Sequence, residues 1–200
     1  MITTTFKFNY KKATQALNVL ALKEGGAINK MKALKLIYFA DRYHLRKYGR
    51  LITNDNYIAM ENGPVASRTR DIAEKTNFIG RDEKSYANTY LESKGKYDLK
   101  SKLSPDTDVF SDSDIEALEF AWEKFGHFDK FKLASITHDY PEWSKHRDEL
   151  NRTLSMPMDL DDFFDDPNTA VDECFALSEE DKRVRREHLK ELIHLESIWG

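Results

Sequence analysis

A single cysteine, Cys174, stands in the 200 residues. One thiol excludes an intramolecular disulfide and a cysteine zinc cage, and it fits a reducing compartment in which thiols stay free. Long apolar runs are missing too. None approaches the roughly 20 residues needed to span a bilayer, and the opening Met1-Ile-Thr-Thr-Thr-Phe-Lys7 lacks the charged-then-apolar order of a signal peptide. The expected location is the cytoplasm, with no membrane partner. No Walker phosphate loop, GxGxxG turn, GxSxG elbow or HExxH pair occurs, and Gly25-Gly26 with Lys30 is too short to cradle phosphates. His44, His127, His138, His146, His188 and His194 include no pair at the i, i+3 or i, i+4 spacing of helical metal ligands. The sequence therefore predicts no catalytic residue, no cofactor and no metal. It has no internal repeat or low-complexity tract either.

What is present describes a globular chain. Charged residues make up 33% and hydrophobic ones 40%, inside the globular range, and 200 residues can bury a core without staples. The net charge of −4 conceals an asymmetry: residues 1–50 hold eleven Lys or Arg against Glu24 and Asp41, a balance of +9, so the remaining 150 residues carry −13. Such a field can steer an anionic partner toward the N-terminal third.

Asn9 and Asn29 are placed to cap two helices, one running to about Glu24 and stopped by Gly25-Gly26, the other running to Gly49. The second has apolar residues at Met31, Leu34, Tyr38, Leu45 and Tyr48 with more between them, so it is predicted to be central. Leu51-Ile52-Thr53 and Tyr57–Met60 are β-prone around Asn54-Asp55-Asn56, which predicts a hairpin ended by Gly63-Pro64. A helix is expected over 65–77, and an irregular second hairpin between Ser85 and Leu103 around Gly95. Ser113 with Glu116 reads as a capping box for a helix to Phe125, followed by a helix over about 130–139. From Thr153 to Asp181 there is no Lys or Arg and there are ten Asp or Glu. Ser178 with Asp181 then caps a terminal helix reaching about Trp199. The organisation expected is a domain over 1–150, then an acidic strap and C-terminal helix over 151–200 that could pack on it.

Asp41 lies on the apolar stripe with His44 three residues on, a pair able to meet on one helix face. The favoured reading is structural: a buried carboxylate needs donors such as a tyrosine hydroxyl or a backbone amide. Lys30, Lys32, Lys35, Arg42, Arg46, Lys47 and Arg50 surround the central helix. They read as a solvated face before a nucleic-acid surface, since they encircle the helix without forming one stripe and the isoelectric point is below neutral.

The run Leu34-Lys-Leu-Ile-Tyr-Phe-Ala-Asp-Arg-Tyr-His-Leu-Arg-Lys-Tyr48, followed by Gly49-Arg-Leu-Ile-Thr53 and Tyr57-Ile-Ala-Met-Glu-Asn-Gly-Pro-Val-Ala-Ser67, resembles the Panacea antitoxin domain, the SocA-like family. Leu133-Ala-Ser-Ile-Thr-His-Asp-Tyr-Pro-Glu-Trp143 is similar to the Thr-His and Pro-x-Trp close of that domain. The resemblance covers about residues 10 to 148. It implies a mainly helical α+β fold, with helices around a small antiparallel sheet of three or four strands plus a C-terminal helix. It also implies an antitoxin, in bacteria or a prophage, that binds a cognate toxin encoded in the same operon; toxins of such pairs include translation- and tRNA-targeting enzymes. SocA-like members instead deliver the toxin to a ClpXP-type protease as adaptors, and a DNA-binding regulator is a third reading. Asp41, Tyr57, Gly63 and Pro64 match as scaffold, and no catalytic residue is carried over. The expected partner contacts are Arg42, Arg46, Arg50, Arg68, Asp161, Asp162, Phe163, Phe164 and Trp199.

Overall fold

The computed structural model describes residues 6–167 and 173–199. Its elements run α1 (Tyr10–Lys23), β1 (Ala27–Asn29), α2 (Lys30–Tyr48), β2 (Tyr57–Met60), β3 (Gly63–Ala66), α3 (Ser67–Glu74), α4 (Arg81–Tyr90), β4 (Leu91–Lys94) and β5 (Asp98–Ser101). Then follow α5 (Asp112–Phe125), α6 (Lys130–Thr137), α7 (Pro141–Ser144), α8 (Arg147–Leu150), β6 (Met156–Pro157) and α9 (Glu179–Trp199). Among the described residues no helix is long and apolar enough to cross a membrane.

The two N-terminal helices start and stop where local chemistry dictates. The Asn9 side chain accepts the Lys12 amide at 3.1 Å, and the Asn29 side chain accepts the Met31 amide at 3.1 Å, each satisfying an orphan donor of the first turn. Gly49 closes α2 at φ 74°, a conformation glycine adopts without a Cβ penalty. Leu36, Tyr38, Phe39, Ala40 and Leu45 are fully buried, and α1, α3, α5, α6 and α9 all pack on α2. Its stripe is wide because it is the hub.

The fold is α+β and mainly helical, as the sequence predicts, with the strands divided between two small antiparallel sheets. One has the order β3-β2-β6, with Ile58 opposite Pro157 and Ala59 opposite Met156; the other has the order β1-β5-β4. The first hairpin also differs from its expected form. Leu51-Ile52-Thr53 is not a strand: the Ile52 amide donates to Asp41 and the Thr53 carbonyl accepts from Asn9, so both are spent before any ladder forms. β2 pairs instead with β3, and Gly63-Pro64 opens that strand where it was expected to end one; Pro64 is tolerated because β3 is an edge.

Two further boundaries move. The predicted hairpin between Ser85 and Leu103 begins only at Leu91, because 81–90 is helical, and it turns at Gly95 with φ 66°. The capping box of α5 is Ser111 with Asp114, two residues before the expected pair. Ser113 is occupied elsewhere, 3.0 Å from His44 Nε2. The terminal helix begins as expected, with Ser178 Oγ accepting the Asp181 amide at 3.0 Å.

Candidate functional site

The two sequence segments singled out above, 34–67 and 133–143, meet in space. Asp41, fully buried on α2, accepts the Ile52 amide and the Tyr57 hydroxyl, both at 2.7 Å, tying the helix to the following loop and to β2. Asp55 similarly accepts the Arg68 and Thr69 amides at 3.0 and 2.7 Å and so caps α3, whose own N-cap, Ala66, has no side chain able to do it. Gly63 sits at φ 97°, where a Cβ would strike Thr137 Oγ1 and come within 2.9 Å of Lys35 Nζ. The Trp143 indole donates to the Met60 carbonyl at 2.9 Å, closing the second segment against the first.

Asp41 and His44 do not bond each other. The His44 ring has Nδ1 2.8 Å from the Arg50 carbonyl, which can only accept, so Nδ1 carries the proton and Nε2 accepts from Ser113. Burial raises Asp41 to about 7 and lowers His44 to about 4. The signs oppose. The Asp41 contribution to stability is full below the unfolded value of 3.8 and is lost as pH rises through about 7, whereas the His44 contribution is present above 6.5 and is lost as pH falls toward 4. Asp41→Asn keeps a neutral acceptor for Ile52 and removes the first effect alone. Its urea midpoint is expected to rise from pH 4 to 7 relative to wild type; parallel profiles for the two proteins would contradict this.

The acidic strap lies across the cationic side of α2. Arg42 Nη1 donates to Glu142 and, at 3.1 Å, to the Phe163 carbonyl; Nη2 reaches the Asp165 carbonyl at 3.0 Å. Arg46 donates through Nε to the Phe175 carbonyl at 2.8 Å, through Nη1 to Phe163 at 3.0 Å, and through Nη2 to Asp166 Oδ1 at 2.6 Å. Glu142 also accepts the Tyr38 hydroxyl at 2.6 Å. Backbone carbonyls and two carboxylates thus replace water around two guanidiniums, a condition under which such charges can be buried. Helix α9 holds the strap from outside: Lys182 pairs with Asp166 at 2.5 Å, Arg186 with Asp161 and Asp165, and Leu189 is buried.

The residues expected to contact a partner lie as follows. Arg42, Arg46, Phe163 and Phe164 are buried within the chain, where they hold the strap to α2. Lys35, Arg42 and Arg46 do not form a solvated helix face; the strap, Glu142 and the Pro64 carbonyl have taken water's place. Arg50 is partly exposed but paired with Asp114 at 3.1 Å, and Arg68 with Glu83 at 2.9 Å. Asp161 and Asp162 are half-buried, engaged by Arg186 and Lys145 respectively. The Trp199 side chain falls outside the described residues.

An open groove of about 940 Å³ lies on another face, between the start of α2, the β2–β3 turn, α3, the β4–β5 turn, the start of α6 and the stretch from Trp143 to Leu154. Leu34, Lys35, Val65 and Trp143 line it as buried residues, while Tyr97, Phe131 and Leu154 stand 62%, 67% and 90% exposed around it. Lys30, Arg70, Lys96, Lys130 and Arg147 complete the rim, against Glu61 and Glu74 as the only carboxylates. Large apolar side chains gathered around one concavity mark an interaction site more often than scattered ones do. The sequence signal for it was faint. In α6, Phe131 is apolar at a position off the face that buries Leu133, Ala134 and Thr137.

Comparison with known proteins gives no match among curated proteins and none among solved structures. The family model described as Antitoxin SocA-like, Panacea domain, matches residues 34–144, the stretch that contains Asp41, the β2–β3 hairpin, Glu142 and Trp143. More than half of the chain is covered, and the chain belongs to the SocA-like Panacea antitoxin domain family.

Proposed function

We propose that this chain is the antitoxin of a toxin–antitoxin pair and neutralises the toxin encoded beside it by direct protein–protein binding in the cytoplasm. Family membership carries the reading, and the exposed apolar groove supplies a surface on which such a complex can form. Neutralisation asks only that an active site be covered or locked, for which a stable interface of roughly 1,600 Å² suffices. The chain acts as a binding protein in this scheme, with no catalytic residue assigned.

Two other mechanisms predict different behaviour. A proteolytic adaptor removes its toxin only where a ClpXP-type protease is present, and a DNA-binding regulator shows steeply salt-dependent binding to its own promoter. The burial of Arg42, Arg46 and Lys35 weighs against the regulator, because those cations are not presented to a phosphate backbone. The test is co-expression with the neighbouring protein in cells with and without ClpXP, scoring growth and co-purification. Rescue with a stable complex in both strains supports direct neutralisation. Rescue confined to the protease-positive strain makes the chain an adaptor, and neither rescue nor complex overturns the antitoxin reading.

A further inference from the structure

We propose that the groove receives an aliphatic segment of the neutralised protein that carries a carboxylate, and that Lys35 at its base takes that carboxylate. This rests on the antitoxin reading and deepens it by naming the chemistry of the partner.

The argument begins from the buried cations. Five Lys or Arg side chains are buried among the described residues, and four have a carboxylate: Lys32 has Glu24 at 2.6 Å, Arg42 has Glu142, Arg46 has Asp166 at 2.6 Å, and Lys182 has Asp166 at 2.5 Å. Lys35 is the exception. It is 1% exposed, and its hydrogen bond is to the Pro64 carbonyl at 2.7 Å, with no carboxylate of the described residues within 4.0 Å. An ammonium offers three donors, and the Pro64 carbonyl takes one of them. Burial without a counter-charge is costly and lowers Lys35 to about 7; among the buried cations of the described residues Lys35 alone carries that expense, and it does so at the groove.

The groove's other features select the same partner. Phe131, Leu154 and Tyr97 need apolar cover, which a phosphate backbone does not provide, and five rim cations against two carboxylates favour an acidic segment over a basic one. Gly63 packs beside Lys35: a Cβ there would strike Thr137 Oγ1 and come within 2.9 Å of Lys35 Nζ, so the glycine is what lets the β2–β3 turn approach the ammonium.

The test uses the full chain and three variants. Lys35→Met preserves length and removes the amine, so its Tm should not fall below wild type; Phe131→Asp and Leu154→Asp change exposed positions and should leave Tm unchanged. With the neighbouring protein as probe, each variant is expected to weaken binding about 10- to 100-fold, the range of one charge-assisted or well-buried apolar contact. Wild-type affinity in all three would overturn the groove while leaving the antitoxin reading intact. A wild type that binds no neighbour overturns that reading, and the groove is then judged by panning a display library of 18-residue helices on wild type and Lys35→Met. Enriched sequences combining Asp or Glu with aliphatic residues, lost on Lys35→Met, support the proposal. Enriched sequences without a carboxylate, or equal capture by the variant, overturn it. So does a concentration-dependent dimer of the chain alone that Phe131→Asp abolishes, because the occupant would then be a second copy.

Discussion

Removal of residues 151–200 is expected to abolish cooperative folding. The segment supplies Met158, Leu160, Phe163, Phe164, Phe175 and Leu189 to the core, each at most 5% exposed. At ~1.5–3 kcal/mol for each buried side chain, these six rival the whole ~5–15 kcal/mol of net stability typical of a folded domain. The loss is larger than apolar burial alone. Without the strap, Arg46 loses Asp166 and three carbonyl acceptors, and Arg42 loses two carbonyls, leaving guanidiniums beside an opened core. A chain of 1–150 should show no sharp thermal transition and should expose apolar surface to dye. A cooperative transition within a few degrees of the full chain would show that 151–200 is a separable unit. For the same reason deletion cannot ask whether the strap meets a partner; substitution of the half-buried Asp162 can.

Glu142→Ala is expected to cost about 3–5 kcal/mol, the penalty for stripping one partner from a buried ion pair. Arg42 and Glu142 are both fully buried, and Glu142 accepts from Arg42 and from Tyr38 together. The substitution leaves a guanidinium with carbonyl acceptors but no counter-charge, and a tyrosine hydroxyl with no acceptor. At this chain length each kcal/mol lowers Tm by about 2–4 °C, so a fall near 10 °C is the expected reading. The double change Arg42→Met with Glu142→Met removes both charges and should recover most of the loss, since apolar replacements for a buried pair are often neutral. A single substitution costing under about 1 kcal/mol would mean that water already reaches the pair.

The local rules of the chain were legible. Asn9, Asn29 and Gly49 bound their helices as expected, Gly126 stops α5, and Ser178 with Asp181 starts α9, because caps and stops are hydrogen bonds within a few residues of one another. Asp41 found a tyrosine hydroxyl and a backbone amide for the same kind of reason: burial dictates that a carboxylate be satisfied, and its neighbourhood is rich in donors. Errors came where two local solutions competed. Ser111-Asp-Ser-Asp114 allows two cap registers, and the choice fell to Lys12 and Arg50, which hold Asp114 at 2.5 and 3.1 Å from other elements.

The sequence by itself determined the long helices α1, α2, α5 and α9, the mainly helical α+β class, the acidic character of the strap and the family to which the domain belongs; α4 was read as part of a hairpin. Tertiary structure alone decided the division into two sheets, since β1 pairs with residues 98–100 and β2 with 156–157, far along the chain. It also decided that cations on α2 turn inward. A lysine or arginine reads as solvated until its counter-charges are known, and those of Arg42 and Arg46 lie 100 or more residues away. The groove belongs with them. Exposure of Phe131 and Leu154, and the isolation of Lys35 from every carboxylate of the described residues, are properties of what fails to pack nearby, which no periodicity records.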